Sequence, residues 1–364
     1  MPEISKIVIT GGPCAGKSTA LSWIQQELSK IGYTVLVIPE TATEFISGGV
    51  APWTCGTNVD YQKIQMKLQM KKEELFLIAA NTMPKDKIII VCDRGLLDNR
   101  AYMNESEFNE VLEEINDTEA SLRDQYDAVF HLVTAANGAE KYYTLENNVA
   151  RYETVEEAIA LDDRIISAWT GHPHFRIIDN STGFELKMKR LISEILSFIG
   201  EPVPVEVYKK FLIKYPNIEM LESIPNCKKI DIYQKYIKIT PNEEVRIRQR
   251  GIDGSYVYSR TVKRKTADNS MIEIEKRISK GEFIDLFAEH SETDLVVKKD
   301  RYCFVYHNQY YEIDIYPFWD DKAILEMEFR DNYHEIEIPP FIEVLSEVTK
   351  DEFYQNQKLA IRKK

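Results

Sequence analysis

Cysteine is scarce in this chain, and its copies are scattered: Cys14, Cys55, Cys92, Cys227 and Cys303 form no CxxC pair. That pattern excludes a disulfide framework or a structural zinc site, and a reducing, cytoplasmic setting is expected. Positive charge is short as well, with 46 Lys and Arg against 59 Asp and Glu, a formal net charge of −13. Such a chain repels polyanions, so no specific nucleic-acid partner is expected unless cations are gathered in one place. No apolar run nears the roughly 20 residues that span a bilayer, and the opening MPEISKIVIT is too short and too acidic for a signal peptide. Glycine and proline, at 15 and 14 copies, are too few and too dispersed for low-complexity sequence. What is left is a globular composition, 44% hydrophobic, in 364 residues that suit two domains.

In the first half, apolar strand-like segments alternate with helical spacing. ISKIVIT, YTVLVIPE, KIIIVCD, YDAVFHLV and HFRIIDN are separated by helical stretches near 21–31, 59–80, 105–122 and 155–169, with a last helix near 184–199. The spacing predicts an α/β domain with a parallel sheet covered on both faces. Gly200, Pro202 and Pro204 forbid continued helix, which places a domain boundary between 1–202 and 203–364. Beyond it EVRIRQR, YVYSRTVKRK, MIEIEKR, LVVKKDRYCFVY, YYEIDIY and ILEMEF alternate with period two, as in an antiparallel sheet or barrel.

The segment ITGGPCAGKST follows the first strand and opens the first helix. Gly11-x4-Gly16-Lys17-Ser18 matches the P-loop, whose exposed N–H groups cradle phosphates while the lysine reaches the outer ones and the hydroxyl ligates magnesium. Gly11, Gly12, Pro13, Cys14, Ala15, Gly16, Lys17, Ser18 and Thr19 are the expected nucleotide-binding residues. Asp93, at the carboxyl end of IIIVCD and followed by Arg94, is the expected magnesium carboxylate. Glu40 ends VIPE, where it is either catalytic or a helix cap. Arg151 and Arg164 lie in a predicted lid, about 137–170, and one of them is expected over the transferring phosphate. His172 and His174 read as loop residues, and no Asn-Lys-x-Asp signature selects guanine, so ATP and GTP both stay open.

By Gly11 to Thr19 and Asp93 to Gly95 the first half resembles the NadR-like P-loop family, close to small-molecule kinases with a "PE" and a "DR" strand end. The resemblance implies that Glu40 is a general base or acceptor-hydroxyl ligand.

In the second half the charges repeat at alternate positions: Arg246, Arg248 and Arg250, then Lys263 and Lys265, Lys299 and Arg301, Glu312 and Asp314, and Glu326 and Glu328. These are either the wet face of a sheet or the lining of a barrel whose cations bind polyphosphate. The ordered set IYQKYI, VRIRQRG, TVKRK, IEIEKRIS, KKDRY, YEIDIYPF, ILEMEF and VTKDEFYQNQKLA resembles the CYTH, or triphosphate tunnel, family. That implies an antiparallel barrel with helices outside, phosphate bound by Lys210, Arg246, Arg248, Lys263, Lys265, Lys299 and Arg301, and Mg2+ or Mn2+ held by Glu206, Asp314, Glu326 and Glu328. The family's opening Glu-x-Glu-x-Lys reads Glu206, Tyr208 and Lys210 here, so one acid is replaced by a phenol, a poor magnesium ligand at neutral pH. The expected partners are a nucleoside triphosphate and a polyphosphate or other phosphorylated small molecule. The arrangement also resembles an animal family of GTP- and phosphoinositide-binding trafficking proteins, which leaves open a switch that meets membrane only through a phosphoinositide-type ligand.

Overall fold

A computed structural model describes residues 2–143, 154–201, 207–265, 271–288, 295–329 and 336–362, apart from the side chains of 142, 207, 208, 271–274, 328, 329, 361 and 362. The chain divides into two compact units, Met1–Ile192 and Ser193–Lys364.

The first unit is built on β1 (Glu3–Thr10), β2 (Thr34–Ile38), β3 (Lys87–Asp93), β4 (Ala128–Leu132) and β5 (Phe175–Ile178), all parallel in the order β2-β3-β1-β4-β5. Around them run α1 (Lys17–Lys30), α2 (Thr41–Ser47), α3 (Asn58–Thr82), α4 (Glu105–Ile115), α5 (Glu119–Asp124), α6 (Val155–Trp169) and α7 (Phe184–Phe198), within which the first unit ends at Ile192. Every residue of β4 is buried, and so is β3 from Ile88 to Cys92, which explains why these strands read as unbroken apolar runs. The helix predicted near 105–122 is two helices. Asn116 takes a left-handed conformation, φ 54°, that ends α4, and Thr118 restarts the chain by accepting the Ser121 N–H at 3.2 Å. Because β1 and β3 are neighbours with Ile9 opposite Asp93, the aspartate stands beside the start of the glycine turn.

The second unit contains β6 (Val207–Lys214), α8 (Ile218–Glu222), β7 (Lys228–Ile239), β8 (Glu243–Ile252), β9 (Ser255–Lys265), β10 (Met271–Ile278), α9 (Lys280–Ala288), β11 (Leu295–Tyr306), β12 (Gln309–Ile315), β13 (Lys322–Phe329), β14 (Val344–Glu347), α10 (Asn356–Leu359) and β15 (Ile361–Arg362). The strands form one antiparallel sheet, β10-β9-β8-β7-β11-β12-β13-β6-β14, with β15 added to β11. The predicted barrel is not closed: among the described residues no pairing joins β10 to β14. Closure needs the outer strands to pair in register along their length. Here β14 has only four residues, and its pairing with β6 slips between Val344 and Ser346.

Period-two alternation gives this sheet two unlike faces. Phe211, Ile213, Tyr302, Phe304, Tyr311, Ile313, Leu325 and Met327 pack together with Leu221 of α8 and Ile342. The alternate positions carry Lys210, Lys299, Arg301, Glu312, Asp314 and Glu326. This charged side is not wet, because Lys210, Arg246, Lys299, Asp314 and Glu326 are all buried.

Candidate functional site

In the first unit the glycine turn leaves β1 through left-handed backbone at Gly11, Cys14 and Gly16, with φ of 142°, 56° and 92°. A Cβ on Gly11 would stand 2.1 Å from the Leu132 carbonyl oxygen, so only glycine fits there. Gly16 caps α1 without a side chain, which leaves the helix's first N–H groups for an anion. Lys17 Nζ donates to the carbonyls of Gly11 (2.8 Å) and Gly12 (2.9 Å). Burial, then the Arg94 guanidinium, pull its pKa down to about 8. Ser18 follows as the second residue of α1.

Glu40 stands at the N-cap position of α2, yet its carboxylate caps nothing. It accepts instead from Thr43 Oγ1 at 2.6 Å and is ion-paired with Arg94. Burial works to raise this carboxyl, but Arg94 and Lys17 outweigh it and hold the pKa at about 2. Asp93 behaves oppositely: burial raises its pKa against the pull of Lys17, and its buried Oδ1 has no hydrogen-bond partner among the described residues. Arg94 is left-handed at φ 68°, a strained conformation for a side-chain-bearing residue, and is held by its N–H to Ile9 O at 3.0 Å. Glu40, Asp93, Arg94 and Lys17 are therefore gathered at the carboxyl edge of β1, β2 and β3.

Arg164 is elsewhere engaged: its Nε donates to the Ala101 carbonyl at 2.8 Å. Arg151 and part of the predicted lid lie outside the described residues. His172 is fully buried and structural, with Nε2 3.0 Å from Tyr126 O and Nδ1 accepting the His174 N–H.

Sequence reasoning missed the buried polar groups that hold the turn. Asp162 of α6 accepts the Gly12 N–H at 2.6 Å and the Thr134 N–H at 3.2 Å, and lies 3.0 Å from His131 Nε2. Lys187 of α7 donates to Val133 O (2.7 Å), Asn180 Oδ1 (2.8 Å) and Ala15 O (3.4 Å), and burial lowers its pKa to about 8. Asp98 takes Thr10 Oγ1 and the Gly95 N–H. Removing Asp162 strands two buried N–H donors, so Asp162→Ala is expected to cost about 3 kcal/mol of stability. Urea unfolding measures this, and a change under 1 kcal/mol contradicts it.

In the second unit the charged face is a network rather than separate basic and acidic strands. Arg301 donates to Asp314 Oδ1 (2.7 Å) and Oδ2 (2.8 Å) and to Glu326 Oε2 (2.8 Å), and also pairs with Glu312. Lys299 pairs with Asp314, and Lys210 Nζ lies 2.9 Å from Glu326. Burial pulls Lys299 down to about 8. Asp314 and Glu326 are thus engaged by cations, and among the described residues no group of three or more His, Cys, Asp or Glu is clustered to hold a metal ion. Glu206 and the side chain of Glu328 lie outside the described residues. The β8 corner is less neutralised: Arg248 meets Gln234 at 3.3 Å and Glu275 only at 3.6 Å, and burial, then Arg246, lower its pKa. Lys263 lies opposite Glu244 and Glu273 in the ladder, and Lys265 is exposed. The C-terminal segment crosses this face: Asn356 accepts from Lys299 and Tyr316, Gln357 reaches Glu244, and the Tyr354 carbonyl accepts from Lys210.

Among the described residues no helix is long and apolar enough to cross a membrane. No curated protein matches the chain. Among solved structures, the inorganic triphosphatase NE1496 is 26% identical, with 43% of this chain and 97% of that one covered and a TM-score of 0.31. A conserved hypothetical protein from Pyrococcus furiosus is 18% identical, over 35% of this chain and 81% of that one, with a TM-score of 0.27. The structure of PH1012 protein from Pyrococcus horikoshii is also 18% identical, over 33% and 78%, with a TM-score of 0.25. Residues 6–187, the segment that holds the glycine turn, Glu40, Asp93 and Asp162, match the AAA domain family, and the chain belongs to that family.

Proposed function

We propose that the first unit binds a nucleoside triphosphate with Mg2+ and transfers its terminal phosphoryl group to a small hydroxyl acceptor or to water. The observation that carries this is the gathering of Lys17, Asp93, Glu40 and Arg94 beside uncapped N–H groups of α1. Asp93, with its unpartnered buried oxygen, and Ser18 suit one magnesium ion, which when bound supplies countercharge to the phosphates. Lys17 exchanges neutral carbonyls for phosphate oxygen. Arg94 holds Glu40 ionised, and the carboxylate accepts the proton of the attacking hydroxyl. The test is phosphorus NMR of the protein with magnesium and a panel of nucleotides, with and without small hydroxyl acceptors. Either a new phosphate ester or inorganic phosphate is expected, and unchanged nucleotides refute the assignment.

The charged face of the second unit binds a polyphosphorylated ligand, whether an inorganic chain, an organic triphosphate or a phosphoinositide head group. Arg246 and Arg248 support this, since crowded buried cations gain from an anion. The neutralised Asp314 and Glu326 favour binding without turnover. In the full chain carrying Lys17→Ala, so that the glycine turn does not contribute, tripolyphosphate at 100 times its Kd is expected to stabilise by about 2.7 kcal/mol. Arg248→Ala should shrink the corresponding rise in melting temperature at the same ligand concentration. An identical melt with and without polyanions makes the face purely structural.

A further inference from the structure

The sheet order divides the glycine turn into two sides. The residues assigned to chemistry, Glu40, Asp93 and Arg94, follow β2 and β3, on one side of β1. The other end of a nucleotide laid along the turn therefore extends over β4 and β5, where ligands of open parallel sheets meet the strands' carboxyl ends. The loops there are tied together, since Asn180 Nδ2 donates to Thr134 O (2.8 Å) and Asn137 O (2.6 Å).

Phe184, the first residue of α7, lies on that side. Its ring is so close to the turn that a Cβ on Gly16 would come within 2.7 Å of it, yet 46% of the residue faces solvent. An exposed aromatic ring against a phosphate-binding turn offers a flat apolar surface beside the phosphate site. The polar side chains of the preceding loop, 179–182, are engaged with one another and with Arg190 and Lys187. Asn180 uses both amide protons, and its oxygen accepts from Lys187 at 2.8 Å. Asp179 Oδ1 accepts the Ser181 N–H (3.1 Å), the Ser181 hydroxyl (2.7 Å) and Arg190 Nη1 (2.8 Å). Thr182 Oγ1 also faces Arg190, at 3.4 Å.

We infer that Phe184 is the platform on which the nucleobase stacks, and that the site takes ATP and GTP nearly alike because stacking rather than edge hydrogen bonding holds the base. This rests on the nucleotide reading above. Every purine presents a π-face, so a ring beneath it gives affinity without choosing among bases.

The test is calorimetric titration of the full chain with Mg-ATP, Mg-GTP and inorganic tripolyphosphate, counting only the binding that Lys17→Ala removes. The wild type should bind ATP and GTP within about 3-fold of each other. Phe184→Ala should weaken both by about 10-fold, Phe184→Trp should restore them, and tripolyphosphate, which has no base, should bind all three proteins equally. Unchanged nucleotide affinity in Phe184→Ala overturns the assignment. So does an equal loss for tripolyphosphate, which would make the ring a support for the turn. A preference for one purine above about 30-fold overturns the claim of weak selection, with Asp179→Asn then identifying a carboxylate reader. Absence of any nucleotide binding in the wild type instead brings down the nucleotide reading itself.

Discussion

Replacing Lys17 with alanine is expected to weaken Mg-nucleotide binding at the first unit by about 100-fold, the scale of losing charge-assisted bonds to phosphate. Among the described residues the ammonium donates to the carbonyls of Gly11 and Gly12, and burial with Arg94 lowers its pKa to about 8. The sign of its effect on stability follows. A lysine whose folded pKa lies below the ordinary 10.5 makes the charged form costly in the fold, fully so below about pH 8, and the cost fades as pH rises toward 10.5. Lys17→Ala should therefore not lower the melting temperature while it removes binding, and nucleotide binding above pH 8 should take up a proton. Calorimetry in buffers of different ionisation enthalpy reads both affinity and proton uptake. Retained affinity in the variant contradicts the role given to Lys17.

Glu40→Gln should separate binding from chemistry. On the proposed reading, loss of a positioned general base costs roughly 10²- to 10⁴-fold in turnover, whereas nucleotide affinity should stay within about 3-fold, since a base acting on the acceptor contributes little to ground-state nucleotide binding. Because Arg94 and Lys17 hold this carboxyl at about 2, it is ionised across the working range and should place no acidic limb on the rate profile near pH 4 to 5. Its stabilising pair with Arg94 is complete above the ordinary carboxyl pKa of 4.5 and is lost as pH falls through about 2. Steady-state kinetics decide the matter. Unchanged kcat in Glu40→Gln leaves the residue as an anchor for Arg94 alone.

The parts of this site that could be read in the sequence are the ones whose chemistry is local. Gly11 to Thr19 announce themselves because turn, helix start and lysine are adjacent in the chain, and Asp93 and Glu40 because each ends a recognisable strand. Asp162, Lys187 and Asp98 escaped because their importance lies in partners found only on folding: the Gly12 N–H is 150 positions from Asp162. Gln62, Gln65, Gln69 and Glu73 of α3, which no sequence pattern singled out, are all buried; Gln69 reaches the Arg94 carbonyl, and Glu73 binds Lys6 and Tyr126. Arg164, a lid candidate by position, donates its Nε to the Ala101 carbonyl, a bond that its sequence context does not announce. In the second unit, period two gave the strands and their charged face. Edge closure depends on strand length and register at β14, which alternation does not encode, and the C-terminal segment across the face depends on side chains such as Asn356 that carry no pattern.

The central claim is that a nucleotide's phosphates rest on the glycine turn and the first turn of α1. Amide hydrogen exchange of the full chain, with and without Mg-ATP or Mg-GTP, tests it at the atoms concerned. Slowed exchange is predicted for the amides of residues 14–19 in the wild type and its loss in Lys17→Ala. Protection confined to the second unit, or none in the turn at saturating nucleotide, would contradict the account.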